Sequence, residues 1–91
     1  MKTMLSINVT FNGGGGTLSA KLYQKGTGAL IEQGAINHSG NIILNNSNSG
    51  DVVGINGVCS GSADIVINVG TNPSTPQHFN AGTIHDGFIV N

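Results

Sequence analysis

The chain contains no tryptophan and no arginine, one cysteine, and few charged residues of either sign. Its 91 residues include three Lys and four Asp or Glu, so charged residues make up 8% of the sequence and the formal net charge is -1. Ordinary globular domains carry about 25% charged residues. With three lysines as its cations, the chain has no basic patch that could neutralise phosphates, and we expect no nucleic-acid partner.

Long apolar runs are also missing. The longest are three residues, such as Ile42–Leu44, far short of the roughly 18 apolar residues of a transmembrane helix. The apolar residues of Met1–Phe11 alternate with polar ones and form no uninterrupted apolar core, so this segment is predicted to be a strand and no signal peptide is visible. The single cysteine, Cys59, cannot close an intrachain disulfide and indicates no compartment.

Small polar residues and glycine take the place of charge. The sequence has twelve Asn, fifteen Ser plus Thr and fifteen Gly, and 37% of its residues are hydrophobic. Disorder by composition requires low hydrophobicity together with high net charge, and this chain has neither. A chain of this length supports one core at most, so we expect a single folded domain over residues 1–91.

Alternation of apolar and polar residues is the dominant pattern, and no stretch shows a convincing helical period. It predicts seven strands, over residues 1–11, 17–24, 29–36, 41–45, 51–58, 63–69 and 83–90. Strands about ten residues apart with polar turns between them indicate an all-β fold, a single small antiparallel β-sandwich of Ig-like, prealbumin-like or jelly-roll type. Alternation places the apolar residues of each predicted strand on one face, which we expect to point inward. The core predicted in this way consists of Leu5, Ile7, Val9, Leu18, Leu22, Ile65, Ile67 and Phe88.

Two local features predict how strands connect or bend. Four glycines at Gly13–Gly16 can supply the positive φ angles of a tight reversal, so a hairpin between the first two strands is expected. Glu32 and Gly34 fall on the same face as the apolar Leu30 and Ile36, which indicates a bulge or bend in the third strand.

Ser39–Leu44, a polar-glycine turn followed by an apolar strand, is followed by a similar unit at Ser49–Ile55. This arrangement resembles the middle of transthyretin-like (prealbumin-like) sandwich domains, although Asp51 stands where such domains often place an aromatic residue. Together with Ala63–Val69 it also resembles small jelly-roll subunits that polymerise into bacterial surface fibres. Both resemblances imply a binding or assembly module and not an enzyme, and neither transfers a site residue.

Gly57–Gly61 matches a nucleophile elbow with Cys59 in the place of serine. An elbow must open a helix, whereas Ser62–Val69 alternates as a strand, so we expect an inert cysteine that is buried or flanks a turn. The glycine clusters have neither Rossmann nor P-loop spacing. We therefore expect no enzymatic activity, no catalytic residues and no cofactor.

The histidines lack the spacing of a metal site. Neutral imidazoles with a carboxylate would suit zinc, but the candidates are dispersed, and adjacent residues of a strand point to opposite faces. We therefore expect no metal centre from His38, His78, His85 and Asp86.

The first strand is the predicted self-association site. From Met4 to Phe11 it has no charge, no proline and no glycine, so its backbone could offer an uninterrupted ladder to another copy. We expect a non-enzymatic structural subunit that forms a homo-oligomer or polymer, in an extracellular or cell-surface structure of fibrous or particle-like form. Lysine at Asn8 and Thr10 should weaken this association. The edge is predicted to comprise Leu5, Ser6, Asn8 and Thr10.

A small module that binds ligands, specifically glycans as in cell adhesion, is the alternative function. The Asn/Ser/Gly segment after the fourth predicted strand could present amide and hydroxyl groups to a sugar, with Tyr23 as a stacking platform. The residues predicted for this carbohydrate-binding loop are Asn46, Asn48, Ser49 and Asp51.

Overall fold

The computed structural model describes residues 2–91 and is built from strands alone. None of these residues is helical, so none lies in a helix long and apolar enough to span a membrane. The strands are β1 (Thr3–Asn12), β2 (Gly16–Tyr23), β3 (Leu30–Ile36), β4 (Gly40–Ser47), β5 (Val52–Cys59), β6 (Ser62–Ile67), β7 (Thr71–Asn72), β8 (Gln77–Phe79) and β9 (Gly82–Val90).

Two antiparallel sheets pack face to face, which confirms the predicted all-β sandwich. The four-stranded sheet has the order β4-β1-β6-β8, and the five-stranded sheet has the order β3-β2-β5-β9-β7. Apolar side chains from alternate positions of both sheets meet in one buried cluster. All eight predicted core residues belong to it, each at most 5% exposed, because strand alternation directs them to the inner faces.

The predicted hairpin between the first two strands is wrong. β1 lies in the four-stranded sheet and β2 in the five-stranded sheet, so Gly13–Gly16 carries the chain from one sheet to the other. The backbone N–H of Ser60, at the neighbouring crossing from β5 to β6, donates to the carbonyl oxygen of Gly15 at 2.9 Å. Glycines permit a reversal but do not specify whether the next strand pairs beside the last one or packs opposite it.

The prediction that the first strand is an edge is also wrong. β1 pairs antiparallel with β4 over Thr3–Val9 and with β6 over Ile7–Asn12. Interior strands are shielded on both sides, and the lack of charge that suggested an unguarded edge is equally suited to a shielded strand. The predicted edge residues therefore take other places: Leu5 lies in the core, and Ser6, Asn8 and Thr10 lie on the outer face of the four-stranded sheet.

Where β6 ends, the side chain of Asn68 continues the ladder along β1. Its Oδ1 accepts the backbone N–H of Ser6 at 2.8 Å, and its Nδ2 donates to the carbonyl oxygen of Met4 at 3.1 Å. At the other end of β1, Ser39 Oγ accepts the N–H of Phe11 at 2.9 Å. These contacts leave little of the β1 backbone for another chain.

The stretch from Gly70 to Asn80, which lies between the last two predicted strands, contains two short strands. β7 pairs with the end of β9, and β8 pairs with β6. Two and three residues are too few to show alternation, and the nearby Pro73 and Pro76 indicated a loop. The predicted bulge in the third strand is confirmed, since Leu22 pairs with Glu32 while Tyr23 pairs with Leu30.

Candidate functional site

The sheet edges at β3 and β4 are closed by a charged side chain. Glu32 points toward the inner side of β3, and its Oε1 accepts the backbone N–H of Asn45 on β4 at 2.7 Å. The same oxygen accepts a longer bond from Asn46 Nδ2 at 3.3 Å. An inward charge at an edge is a known device against pairing between chains. This side of the sandwich is therefore a poor site for strand addition.

On the opposite side, β9 has an open edge. β7 pairs only with Ile89 and Val90, and no strand within residues 2–91 pairs with the outer side of β9 from Gly82 to Phe88. β5 covers the inner side along the whole of this stretch. We call residues Thr83 to Gly87 the open edge.

The hydrogen bonds of Val90 show which residues of the open edge direct their backbone N–H and C=O groups away from β5. The N–H of Val90 donates to Asp51, and its carbonyl accepts from Gly50, so Val90 faces the β5 side. Because successive residues of an antiparallel strand direct their backbone groups to opposite sides, Thr83, His85 and Gly87 face outward. The N–H of Gly87 is satisfied by Asp86 Oδ1 at 2.8 Å, which leaves Thr83 and His85 to offer their backbone groups to another chain.

The outer face of the five-stranded sheet carries an apolar row. Tyr23 pairs with Leu30 on one side and with Val52 on the other, and Val52 pairs with Ile89. Leu30 is 49% and Ile89 48% exposed. Cross-strand neighbours on one face are close enough to contact one another. The row therefore forms an apolar line across the sheet, at right angles to its strands.

A polar row runs parallel to it. Ser19 pairs with Asn56, and Asn56 pairs with His85. Ser19 Oγ donates to the carbonyl oxygen of Asn56 at 3.1 Å, whereas the described residues provide no hydrogen-bond partner for the side chains of Asn56 and His85. These two side chains are therefore free to bond to a ligand.

Between the apolar and polar rows lies a row with two glycines. Lys21 pairs with Gly54, and Gly54 pairs with Gly87. Because Gly54 has no side chain, a groove of about 180 Å³ opens over it, and Gly87 adjoins this groove. The lining residues besides Gly54 are Tyr23, Lys21, Ile55, Asp86 and the three residues of the polar row. We call this groove the glycine groove. A larger depression of about 500 Å³ shares Ser19 and Asn56 but is otherwise lined by Thr17, Leu18, Ala35, Ile36, Asn37 and His38.

Two residues of the predicted carbohydrate-binding loop have structural roles. Asp51 is 2% exposed, and its two oxygens accept the N–H groups of Lys25 at 2.9 Å and Asn48 at 2.8 Å. Asn46 is held by Glu32. The assignment of Asp51 to ligand binding is therefore wrong, because its carboxylate is buried and used by the backbone. Ligand binding by the side chains of Asn48 and Ser49 stays a prediction.

Cys59 is buried, as predicted. Its Sγ lies 3.6 Å from the carbonyl oxygen of Gly61 and 3.5 Å from that of Asn80. The chain continues into strand β6 and not into a helix. Without a helix N-terminus at this position, the geometry of a nucleophile elbow is not formed.

The histidines lie apart on three surfaces. His38 contacts the backbone of Ser39, His85 lies on the polar row, and His78 bonds through Nδ1 to Asp64 at 2.7 Å. Within residues 2–91, no group of three His, Cys, Asp or Glu residues is placed to hold a metal ion. The sequence missed the contact between Asp64 and His78 because β8 was not predicted.

The Asp64 carboxylate has two side-chain partners. Hydrogen bonding to His78, and secondarily to Asn12, lowers the pKa of Asp64 below the ordinary value of an aspartate side chain. Both bonds favour the charged form. Because the pKa of the folded state is the lower one, the stabilisation is present above the unfolded value and is lost as the pH falls through the folded value.

We expect His78→Ala to raise the titration midpoint of Asp64 more than Asn12→Ala does, because the His78 bond is the largest cause of the lowered pKa. Carboxyl-carbon NMR during an acid titration measures both midpoints in the folded protein. An equal or larger effect of Asn12→Ala would contradict the assigned order of the two contacts.

Comparison with known proteins yields no match, whether with family models, curated proteins or solved structures. The resemblance to transthyretin-like and jelly-roll domains stays a prediction.

Proposed function

We propose that the domain is a non-enzymatic assembly subunit that associates with a second copy of itself through the open edge of β9. The observation that carries this proposal is the outer side of β9 between Gly82 and Phe88, which no strand of residues 2–91 pairs with. An unpaired strand presents N–H and C=O groups at the spacing that another strand requires. The sequence analysis predicted self-association through the first strand, and the proposal assigns it to the last strand, β9.

The outward residues of the open edge suit pairing of β9 with itself. In a two-fold antiparallel arrangement, His85 lies opposite His85 of the second copy, and Thr83 lies opposite Gly87. Each such pair exchanges an N–H and a C=O with its partner. Isologous interfaces of this kind are self-complementary and close on a dimer.

The remaining edges fit this role less well. Glu32 closes the edges of β3 and β4, and β7 and β8 are two and three residues long. Short edge strands offer few backbone groups to a partner. The low charge of the chain also leaves little long-range repulsion between copies.

Asp86 is expected to keep the dimer weak. Its carboxylate already accepts the N–H of Gly87, and this bond competes with the one that Gly87 would donate to Thr83 of the second copy. Association therefore depends on concentration. A fibre or particle requires a second contact in addition to β9, and the extracellular or cell-surface location stays a prediction.

His85→Lys should weaken dimer formation about tenfold, since it places like charges directly opposite each other at the two-fold axis. High salt should restore part of the association by screening that repulsion. Thr10→Lys adds the same charge on β1, an interior strand of the other sheet, and should leave association unchanged. Sedimentation equilibrium at low and high salt measures all three proteins.

Either of two results would contradict the proposal. One is a parent protein that remains monomeric at millimolar concentration. The other is an equal loss of association in Thr10→Lys and His85→Lys, which would indicate a general charge effect and not an edge contact.

A further inference from the structure

Gly54 and Gly87 occupy positions where the fold does not require glycine. A Cβ added at Gly54 would lie 3.6 Å from Tyr23 Cε2, and one added at Gly87 would lie 3.9 Å from the carbonyl oxygen of Val53, both ordinary contact distances. Neither has a positive φ angle. By contrast, a Cβ at Gly57 would collide with the backbone of Thr17.

Glycine in the interior of a strand weakens the strand, and often marks a place where a ligand approaches closely. Here the two glycines that the fold does not need are direct cross-strand neighbours. Gly54 lines the glycine groove between the apolar and polar rows, and Gly87 adjoins it beside the lining residue Asp86. Because neither glycine has a side chain, the sheet backbone between the apolar row and the polar row is accessible to a ligand.

The two walls of the groove define the chemistry of its occupant. On one side stands the half-buried ring of Tyr23, continued by the exposed Val52. On the other side stand Asn56 and His85, whose amide and imidazole groups both donate and accept hydrogen bonds. Asp86, whose carboxylate accepts the N–H of Gly87, also lines the groove. A ligand that fits must have one apolar face and an edge of neutral groups that also donate and accept.

We propose that the glycine groove binds a pyranose ring of a glycan. The C–H face of the ring packs on Tyr23, and its hydroxyl groups bond to Asn56 and His85. The volume of about 180 Å³ is below the roughly 300–1,000 Å³ of pockets for drug-sized ligands, and it suits a single ring. Lys21 forms no ion pair within residues 2–91 and adds a hydrogen-bond donor beside Gly54.

Other ligand classes match the groove less well. A phosphate-bearing ligand would need more positive charge than the one lysine present. An added peptide strand requires a free sheet edge, whereas β2 and β5 are both interior strands. Tyr23, Lys21, Gly54 and Asn56 lie on these interior strands, whereas His85 lies on β9. The inference does not depend on dimer formation, because the groove uses the side chain of His85 and strand pairing uses its backbone.

Tyr23 is the only tyrosine, and the chain has no tryptophan, so tyrosine fluorescence reports on the groove without a label. We expect at least one of the methyl glycosides of glucose, galactose, mannose and N-acetylglucosamine to change this emission saturably at millimolar concentration. The same sugar should shift the backbone amide NMR signals of Gly54 and Gly87. Free N-acetyltyrosinamide with the same sugars is the control for solvent effects.

Gly54→Val should weaken sugar binding at least tenfold, because its side chain fills the floor of the groove. Its melting temperature should not fall, since a Cβ at this position meets only an ordinary contact and valine favours strands. Gly15→Val is the matched control: Gly15 lies in the β1–β2 crossing, has no heavy atom within 4 Å of the added Cβ, and should leave binding unchanged. Tyr23→Phe should keep binding and Tyr23→Ala should lose it, both followed by NMR.

The proposal is overturned if none of the four sugars changes the emission or the two glycine amide signals. It is equally overturned if folded Gly54→Val binds as the parent does. Dimer formation by the parent is measured separately by sedimentation, so failure of the sugar site and failure of the assembly proposal are distinguishable.

Discussion

Replacing Phe88 with alanine is expected to lower the free energy of unfolding by about 3–5 kcal/mol, the usual cost of truncating a buried phenylalanine. Phe88 is fully buried on the inner face of β9, and it is the largest of the fully buried side chains among residues 2–91. Its neighbour on β5 is the equally buried Val53. Phe88 belongs to the one buried cluster to which both sheets contribute, and the cavity left by the ring could collapse only in part.

Urea denaturation measures this loss against a matched change on the outer face. Val58→Ala, on the neighbouring strand, removes apolar atoms from a residue that is 53% exposed, and such surface changes usually stay within about 0.5 kcal/mol. If the two variants had the same midpoint, the placement of Phe88 in the core would be wrong.

Asp51→Ala is expected to destabilise the domain by about 3 kcal/mol or more, because hydrogen bonds to charged groups contribute about 1.5–3 kcal/mol each. The substitution leaves the N–H groups of Lys25 and Asn48 without their carboxylate acceptor. Asp51 also joins the loop to the last strand, since its carbonyl oxygen accepts the N–H of Val90 at 2.9 Å.

Ser49→Ala is the control for Asp51→Ala, because Ser49 is exposed and belongs to the same predicted loop. It should leave the denaturation midpoint unchanged within error. Equal midpoints for the two variants would show that Asp51 does not hold the loop, and would restore its interpretation as a ligand residue.

The elements that the sequence predicted well are those whose signal is local. Leu5, Ile7 and Val9 alternate with polar residues, and alternation alone places such residues on the buried face of a strand. The same rule identified the inner faces of β2 and β6. It also excluded a helix after Cys59, which the structure bears out.

Strand order could not be predicted in this way, because pairing in a sheet joins residues that are distant in the chain. Glycine at positions 13–16 was compatible with a hairpin and with a crossing between sheets. The uncharged β1 was compatible with an open edge and with an interior strand. Only the ladders to β4 and β6 distinguish these alternatives.

The candidate surfaces depend on the same distant pairings. In the sequence, Gly54 and Gly87 lie in separate predicted strands, and no local pattern links them. Their direct opposition across β5 and β9, which creates the floor of the groove, follows from the register alone. The open edge is hidden for a similar reason, since it exists only because β7 is too short to cover β9.

Hydrogen exchange at the backbone amides of Thr83 and His85, measured across a range of protein concentrations, tests the open-edge assembly most directly. Pairing of β9 between copies predicts that both amides exchange more slowly as the concentration rises. The amide of Ile84, which faces β5, should be protected throughout, and His85→Lys should largely abolish the dependence on concentration. Exchange at Thr83 and His85 that stays constant while the protein associates would contradict assembly through β9.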